Sequence, residues 1–338
     1  MRFDPSVRIS LGVVTLGAPA RLAGCLEALV GHASHHDFTV SVVVNADSAR
    51  GSIAPEVPTG VAVLQSDGNL GWAGGLQLAR AHTAAELFVW VQDDMLPAPG
   101  WLDALVDAAD RTPGAAAFGS VRVDGAGAPI LPNAGAALPV DSVNEWSSTD
   151  HTDVELPAGV AAYDWVTSKG LLTRTAAFDE VGGPDPRLFP LYHVDKEYST
   201  HLRCHGYDVV LVPDARLWHA QSQSSAPELR AFVAEWRDGV FNDRWSGPLG
   251  ALAGRSSGVV DHPCRDWVVE ADPLTTAVGL EASRMLVPYM RDRERAMAEL
   301  HELAAADHAA SQAAIAEATM AYEAAMAEVE RLRARLQG

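Results

Sequence analysis

The chain has 338 residues, 48% of them apolar and 20% charged, which excludes a largely disordered protein and fits one large domain or a domain with an appendage. Its formal charge of −19, from 44 acidic and 25 basic side chains, argues against nucleic-acid binding, because phosphate contacts need a basic face. Three scattered cysteines, Cys25, Cys204 and Cys264, form no pair motif, so neither a disulfide framework nor a zinc site is expected.

Met1 to Ser10 holds no apolar core segment, so no secretory leader is expected. No run reaches the ~18–20 apolar residues of a membrane span. These features predict a cytoplasmic protein. Peripheral contact with the inner face of the membrane stays open.

In chain order, Ile9 to Val14 reads as a buried strand, and Pro19 opens a helix carrying Leu22, Leu26, Leu29 and Val30 at helical spacing. Val40 to Val44 and Val61 to Leu64 are strand candidates, and Trp72 to Ala85 reads as a helix. Leu87 to Val91 is an apolar strand that stops at Gln92-Asp93-Asp94, and Leu102, Leu105 and Val106 mark the next helix. This alternation predicts an α/β sheet with parallel strands. From Asp124 to Asp164 the chain is irregular, with short strands and loops expected. Trp165 to Arg174 reads as strand, Thr175 to Val181 and Val194 to Cys204 as helices, and Val209 to Val212 as strand. Gly247 to Pro273, rich in Gly, Ser and Pro, reads as a linker or arm. Beyond it, Ala318, Tyr322, Ala325, Val329, Leu332 and Leu336 alternate at three and four like a coiled-coil seam of about three heptads, which predicts a homo-oligomer.

Ligands of such sheets sit beyond the carboxyl ends of the strands, which singles out Thr15, Asn45, Asp47, Asn69, Asp93 and Asp94. Two adjacent carboxylates at a strand end suit a hard cation such as Mg²⁺ or Mn²⁺, which also takes phosphate oxygens. Read alone, such a pair caps helices more often. Asn69-Leu70-Gly71-Trp72-Ala73-Gly74-Gly75 offers a helix N-terminus to an anion, or is a turn with a structural role.

Three further segments matter by their order and spacing: Val181-Gly182-Gly183-Pro184-Asp185, Val194-Asp195-Lys196-Glu197, and Leu202-Arg203-Cys204-His205-Gly206-Tyr207 followed by Trp218-His219. With the strand-end acids and the Asn-Leu-Gly turn, the chain resembles the family-2 glycosyltransferases of the GT-A fold, from about Val7 to Gly247. The stretch from Asn69 to Gly75 looks most like the rhamnosyl- and galactofuranosyltransferase branch.

The resemblance implies a Rossmann-like nucleotide-sugar-binding sheet in residues 1–247; composition and the heptad spacing add a linker or arm in 248–273 and a helical, coiled-coil extension in 274–338. It implies that Asp94 holds the cation bridging the donor diphosphate, that Asp93 lies near the ribose or sugar, and that His219 completes the metal shell or touches the diphosphate. Gln92 stands where the family usually has Asp. Asp195 matches the catalytic base and Glu197 the next acid, with Val194 replacing the motif's first acid. Thr15, Asn45 and Asp47 match base- and ribose-binding positions. Asn69, Gly71 and Trp72 fall on the donor side, Arg244 near the diphosphate, and Trp165 and Lys169 on the acceptor side.

The implied reaction is an inverting, metal-dependent transfer of a sugar from a nucleoside-diphosphate donor (UDP- or dTDP-linked) to a glycan or lipid-linked acceptor. A catalytically degenerate GT-A protein serving as a carbohydrate-binding or scaffold subunit is the alternative, supported by Gln92 and Val194. A nucleotidyltransferase would want a basic Gly-rich loop, which Thr15-Leu16-Gly17-Ala18-Pro19 lacks.

Overall fold

A computed structural model describes residues 7–262, except 17, 33, 46–56, 67, 131–155, 189–192 and 220–226, together with Glu299, Gln312, Thr319 and Met320; for residues 32 and 227–236 it describes the backbone alone. The elements run β1 (Ile9–Thr15), α1 (Pro19–His32), β2 (Phe38–Val44), β3 (Ala62–Gln65), α2 (Gly71–Ala81), β4 (Leu87–Gln92), β5 (Met95–Pro97), α3 (Trp101–Arg111) and β6 (Ala115–Val123). Then follow β7 (Ala161–Ala162), β8 (Leu171–Arg174), α4 (Thr175–Val181), α5 (Val194–Cys204), β9 (Asp208–His219) and α6 (Pro227–Ala251). One sheet takes the order β3-β2-β1-β4-β8-β6-β9-β5, with β7 also on β9.

The expectation of a parallel sheet needs correction. Strands β3, β2, β1 and β4 are parallel, but β8 runs antiparallel to both β4 and β6. Strand β9 is parallel to β6, while β5 and β7 are antiparallel to β9. The sheet is therefore mixed. The carboxyl ends of β1, β2, β4, β6 and β9 share one edge with the amino end of β8.

Helices cover both faces, which is why the central strands are apolar on both sides. Ile9, Leu11, Val13, Val89 and Val91 pack with Leu22, Leu26, Leu102 and Leu105 of α1 and α3. Val14, Phe88 and Trp90 pack on the other face with Leu76, Phe178, Tyr198 and Leu202 of α2, α4 and α5. On the second face α2 comes close to β1. A Cβ at Gly75 would lie 2.7 Å from Val14 Cγ1, and one at Gly12 would lie 2.8 Å from Ala79 Cβ. These glycines are spacers for packing.

Other expectations shift at their ends. Helix α2 stops at Ala81 rather than Ala85, and of Trp165 to Arg174 only Leu171–Arg174 is strand. Short β5, the Ala-rich β6 and the long α6 escaped the sequence reading, because none carries a clear period of its own.

The linker expected over 248–273 is also corrected where it is described. Helix α6 continues to Ala251 through Pro248. Leu249 and Leu252 are buried with Phe241, Trp245 and Cys204. The segment beyond runs along α5, with Gly258 and Val260 donating backbone hydrogen bonds to the carbonyls of Arg203 and Cys204, both at 2.9 Å. Residues 263–273 lie outside the described residues. Contacts divide the chain into compact units Met1–Val287 and Pro288–Gly338. In the second, Glu299, Gln312, Thr319 and Met320 are helical, and the rest of the expected seam lies outside the described residues. Among the described residues no helix is long and apolar enough to cross a membrane.

Two glycine substitutions separate packing from helix propensity. Gly75→Ala forces a methyl group against the stiff Val14 side chain and should lower unfolding free energy by about 1–3 kcal/mol in urea denaturation. Gly24→Ala, mid-way along α1 with its nearest neighbour 4.0 Å away at Leu96 Cδ2, should raise it by roughly 0.5–1 kcal/mol.

Candidate active site

The site is built where the strands end. Strand β4 runs out into Gln92-Asp93-Asp94, and the chain turns at once into β5, which pairs antiparallel with the end of β9 so that Met95 faces His219. That pairing brings His219 to the acids although 125 positions separate it from Asp94 in the sequence. His219 Nε2 lies 2.7 Å from Gln92 Oε1 and 3.1 Å from Asp94 Oδ1. Gln92, the departure from the family pattern, is thus part of the same cluster.

Two oxygens and an imidazole nitrogen converging at these distances suit a divalent cation of intermediate hardness. The residues fit the metal that the family implies. Gln92, Asp94 and His219 would hold it, with phosphate oxygens completing the shell.

Asp93 points the other way, into the protein. Its Oδ2 accepts a hydrogen bond from Thr15 Oγ1 at 2.5 Å and lies 3.7 Å from Arg21 Nη2. Burial pushes its carboxyl above the ordinary value, against the Thr15 hydrogen bond and the Arg21 charge. Thr15 and Asp93 are therefore one unit joining the ends of β1 and β4.

Asn45, at the end of β2, is almost fully buried and its amide is used internally. Its Nδ2 donates to the Gly71 carbonyl at 2.8 Å, and its Oδ1 accepts from the Leu70 N–H at 2.7 Å. Asn69 Oδ1 accepts from the Gly71 N–H at 2.9 Å. Two of the N–H groups expected to meet an anion at the start of α2 are thus taken by asparagines. This stretch positions α2, with Gly71 in the left-handed region at φ 70°. Trp72 is half-buried against the core of that face. Asp47 lies outside the described residues.

Asp195 sits in the first turn of α5. The residue before the helix, His193, has φ 59° and is the one non-glycine with positive φ among the described residues. Asp195 Oδ2 accepts from the Ser168 N–H and Oδ1 from the Lys196 N–H, both at 3.0 Å. Ser168 belongs to the turn entering β8, and antiparallel β8 starts where β4 ends. The carboxylate is therefore delivered to the edge that carries Asp94.

Lys169 in the same turn joins the two halves. Burial lowers its pKa, while the nearby charges of Asp195 and Asp94 raise it and that of Arg122 lowers it further. Arg122 was missed in the sequence. It lies at the end of β6 and is 5% exposed, and its Nε and Nη1 have no hydrogen-bond partner among the described residues. An arginine closing the otherwise apolar run Ala115–Val123 is the signal that could have found it.

Glu197, Arg244 and Trp165 are placed elsewhere. Glu197 Oε1 accepts from Arg244 Nη1 and, at 3.0 Å, from Trp245 Nε1. Arg244 Nη1 also lies 3.0 Å from Asp185 Oδ2, and Asp185 is gripped by Arg187 through two nitrogens. This knot ties α5 to α6 and to the loop after α4. Burial raises the Glu197 pKa despite the Arg244 charge. Trp165 packs against the Phe241–Trp245 cluster, with Lys196 Nζ over its ring at 5.7 Å.

The knot is testable through stability. Arg244→Met leaves Glu197 and Asp185 as facing buried carboxylates and should cost about 3–5 kcal/mol at neutral pH. Because the folded-state pKa of Glu197 lies above its ordinary 4.5, proton uptake favours the folded form at low pH and that benefit is lost as pH rises through the folded value. The gap between variant and wild type in denaturant titrations should widen from pH 4.5 toward neutrality.

The model of the family described as glycosyltransferase like family 2 matches residues 5–235. Two curated relatives, the N-acetylglucosaminyl-diphospho-decaprenol L-rhamnosyltransferases of Mycobacterium tuberculosis strains CDC 1551 / Oshkosh and ATCC 25618 / H37Rv, are each 32% identical over 49% of this chain. The match spans 64% of each relative's length. A crystal structure of GalNAc-T7 with UDP, GalNAc and Mn²⁺ superposes with a TM-score of 0.51 at 14% identity, covering 75% of this chain and 52% of that one. This likeness speaks to the fold, which is the GT-A fold. With the family's pattern spanning well over half of the sequence, the chain belongs to glycosyltransferase-like family 2.

Proposed function

We propose that the protein is an inverting glycosyltransferase that moves a sugar, of the rhamnosyl type, from a nucleoside-diphosphate donor to a lipid-linked or glycan acceptor. The observation that carries this reading is the meeting of two groups at one sheet edge. One is the Gln92–Asp94–His219 cluster and the other is the fixed carboxylate of Asp195, held by the turn that carries Ser168 and Lys169.

In the reaction an acceptor hydroxyl attacks the anomeric carbon as the bond from that carbon to the diphosphate oxygen breaks on the opposite face. Asp195 takes the hydroxyl proton as the new C–O bond forms. Its two backbone hydrogen bonds hold the carboxylate in one orientation and leave lone pairs for that proton. A divalent cation, when bound, stabilises the negative charge that collects on the departing diphosphate. The buried Arg122, with Nε and Nη1 unpartnered among the described residues, supplies positive charge toward phosphate oxygens on an otherwise acidic protein.

The lipid-linked acceptor is favoured by the relatives, whose name specifies a diphosphate-linked polyprenol. Such an acceptor requires work at a membrane surface, consistent with a peripheral location at its inner face and a role in cell-wall polysaccharide synthesis. The seam from Ile315 to Leu336 is proposed as a self-association element that sets two such sites side by side.

Asp195→Asn keeps the shape but loses the proton acceptor, so turnover should fall by roughly 10²–10⁴-fold while nucleoside-diphosphate binding stays close to wild type in calorimetry. Near-normal turnover would remove Asp195 from the mechanism. Nucleoside-diphosphate binding should need Mg²⁺ or Mn²⁺, and both EDTA and Asp94→Ala should remove it. Undiminished binding in excess chelator would show that Gln92, Asp94 and His219 hold no catalytic cation.

A further inference from the structure

Helix α5 carries a second chemical feature at its other end. His201 and His205 stand four residues apart on one helical face, and His262 is brought against them from the segment after α6. Their ligand nitrogens all lie within 4.8 Å of one another. The rings form a near-equilateral triangle, with centroids 4.8 Å (His201–His205), 4.8 Å (His201–His262) and 5.0 Å (His205–His262) apart. They are steeply inclined to one another, at 67°, 83° and 64°, so they converge rather than stack.

We propose that His201, His205 and His262 form a zinc site that clips the segment after α6 onto α5. A tetrahedral ion with bonds of ~2.0–2.1 Å to three imidazoles sets their ring centroids roughly 5 Å apart, the spacing observed here. Three nitrogen ligands without a carboxylate select zinc-like ions over Mg²⁺ or Ca²⁺, which take oxygens. Three histidines leave the fourth tetrahedral position to water.

The surroundings prepare the ligands. His205 Nδ1 lies 3.0 Å from the carbonyl oxygen of His201. A carbonyl can only accept, so Nδ1 carries the proton and Nε2 presents its lone pair. Trp245 closes one side, with its ring 5.7 Å from His201 and 5.2 Å from His262. Such an apolar wall excludes water and strengthens coordination.

His262 is held in register by bonds that do not involve the ion. Gly258 and Val260 bond to the Arg203 and Cys204 carbonyls, and Arg203 Nε donates to the Ser256 carbonyl at 2.6 Å. His201 and His205 follow Asp195 by six and ten residues, about 9–15 Å along the helix axis at 1.5 Å per residue, so the site is separate from the cluster at the sheet edge. Its role is to fix the far end of the helix that presents the catalytic carboxylate.

The test uses the full-length chain stripped with EDTA and titrated with Co²⁺ and then Zn²⁺. Beyond any ion held by the sheet-edge cluster, the wild type should bind one equivalent with the visible bands of four-coordinate cobalt, and zinc should displace it. His219→Ala, which disables the cluster at the sheet edge, should leave that equivalent in place. His262→Gln and the half-exposed His205→Gln should each weaken binding by at least roughly 10–100-fold. X-ray absorption at the zinc edge of the wild type counts imidazole ligands without any variant, and three nitrogens of that kind are expected. The proposal is overturned if the wild type binds no stoichiometric zinc, if binding survives both glutamine variants, or if His219→Ala alone abolishes it.

Discussion

The reversal of β8 is the constraint on which the site depends. Had β8 run parallel to β4, its amino end would lie at the opposite edge, and Ser168 could not meet a carboxylate beside Asp94. The antiparallel register, Leu87 facing Arg174 and Trp90 facing Leu171, puts the turn entering β8 next to the end of β4. That turn is tightly pinned. Ser120 Oγ donates to the Gly170 carbonyl at 2.6 Å, and Trp101 Nε1 donates to Ser120 Oγ at 2.8 Å. A Cβ at Gly170 would lie 2.6 Å from Leu217 and 2.8 Å from Trp101, and φ there is 68°. Only glycine satisfies both the space and the backbone angle.

Helix α5 works as a lever fixed at several points. Tyr198 packs on Trp90 at 4.8 Å, and its hydroxyl shares a 2.6 Å hydrogen bond with Thr173 of β8. This ties the helix to the strand whose entry turn holds Asp195. One face of the same helix carries Glu197 into the ion-pair knot with Arg244. A buried carboxylate paired on one oxygen contributes little net stability, but it strongly disfavours any other seating of α5, because breaking the pair strands a charge. The Asp195 end of the helix inherits its fixed position from these buried contacts.

A chain of net charge −19 needs local positive charge to hold the diphosphate donor proposed for it. Arg21 lies beside Asp93, and Arg122 and Lys169 stand near the strand edge. Asp93 is held within the protein by a hydrogen bond from Thr15 and the charge of Arg21, leaving Asp94 as the carboxylate of the His219 cluster. Low local dielectric makes each of these few charges count for more than its number suggests.

Much of the architecture was legible in the chain itself. The apolar runs at Ile9, Val40 and Leu87, the helix limits of α4 and α5, and the acids at the end of β4 follow from local periodicity and from the rule that ligands gather at strand ends. The candidacies of Asp94, Asp195 and His219 came from the family's motif order, and folding brought those segments to one edge. Tertiary structure alone decided strand direction, because β8 carries the same apolar pattern in either orientation. It also decided which polar groups face inward. Asn45 and Glu197 look like ligand-binding residues in the sequence, yet the Asn45 amide is bonded to Leu70 and Gly71 and one Glu197 oxygen to Arg244 and Trp245. Arg122, His201, His205 and His262 show the converse. No spacing in the sequence pairs Arg122 with Lys169 or His262 with α5, since such encounters are set by packing across the sheet and along the helix, where contact is independent of distance along the chain.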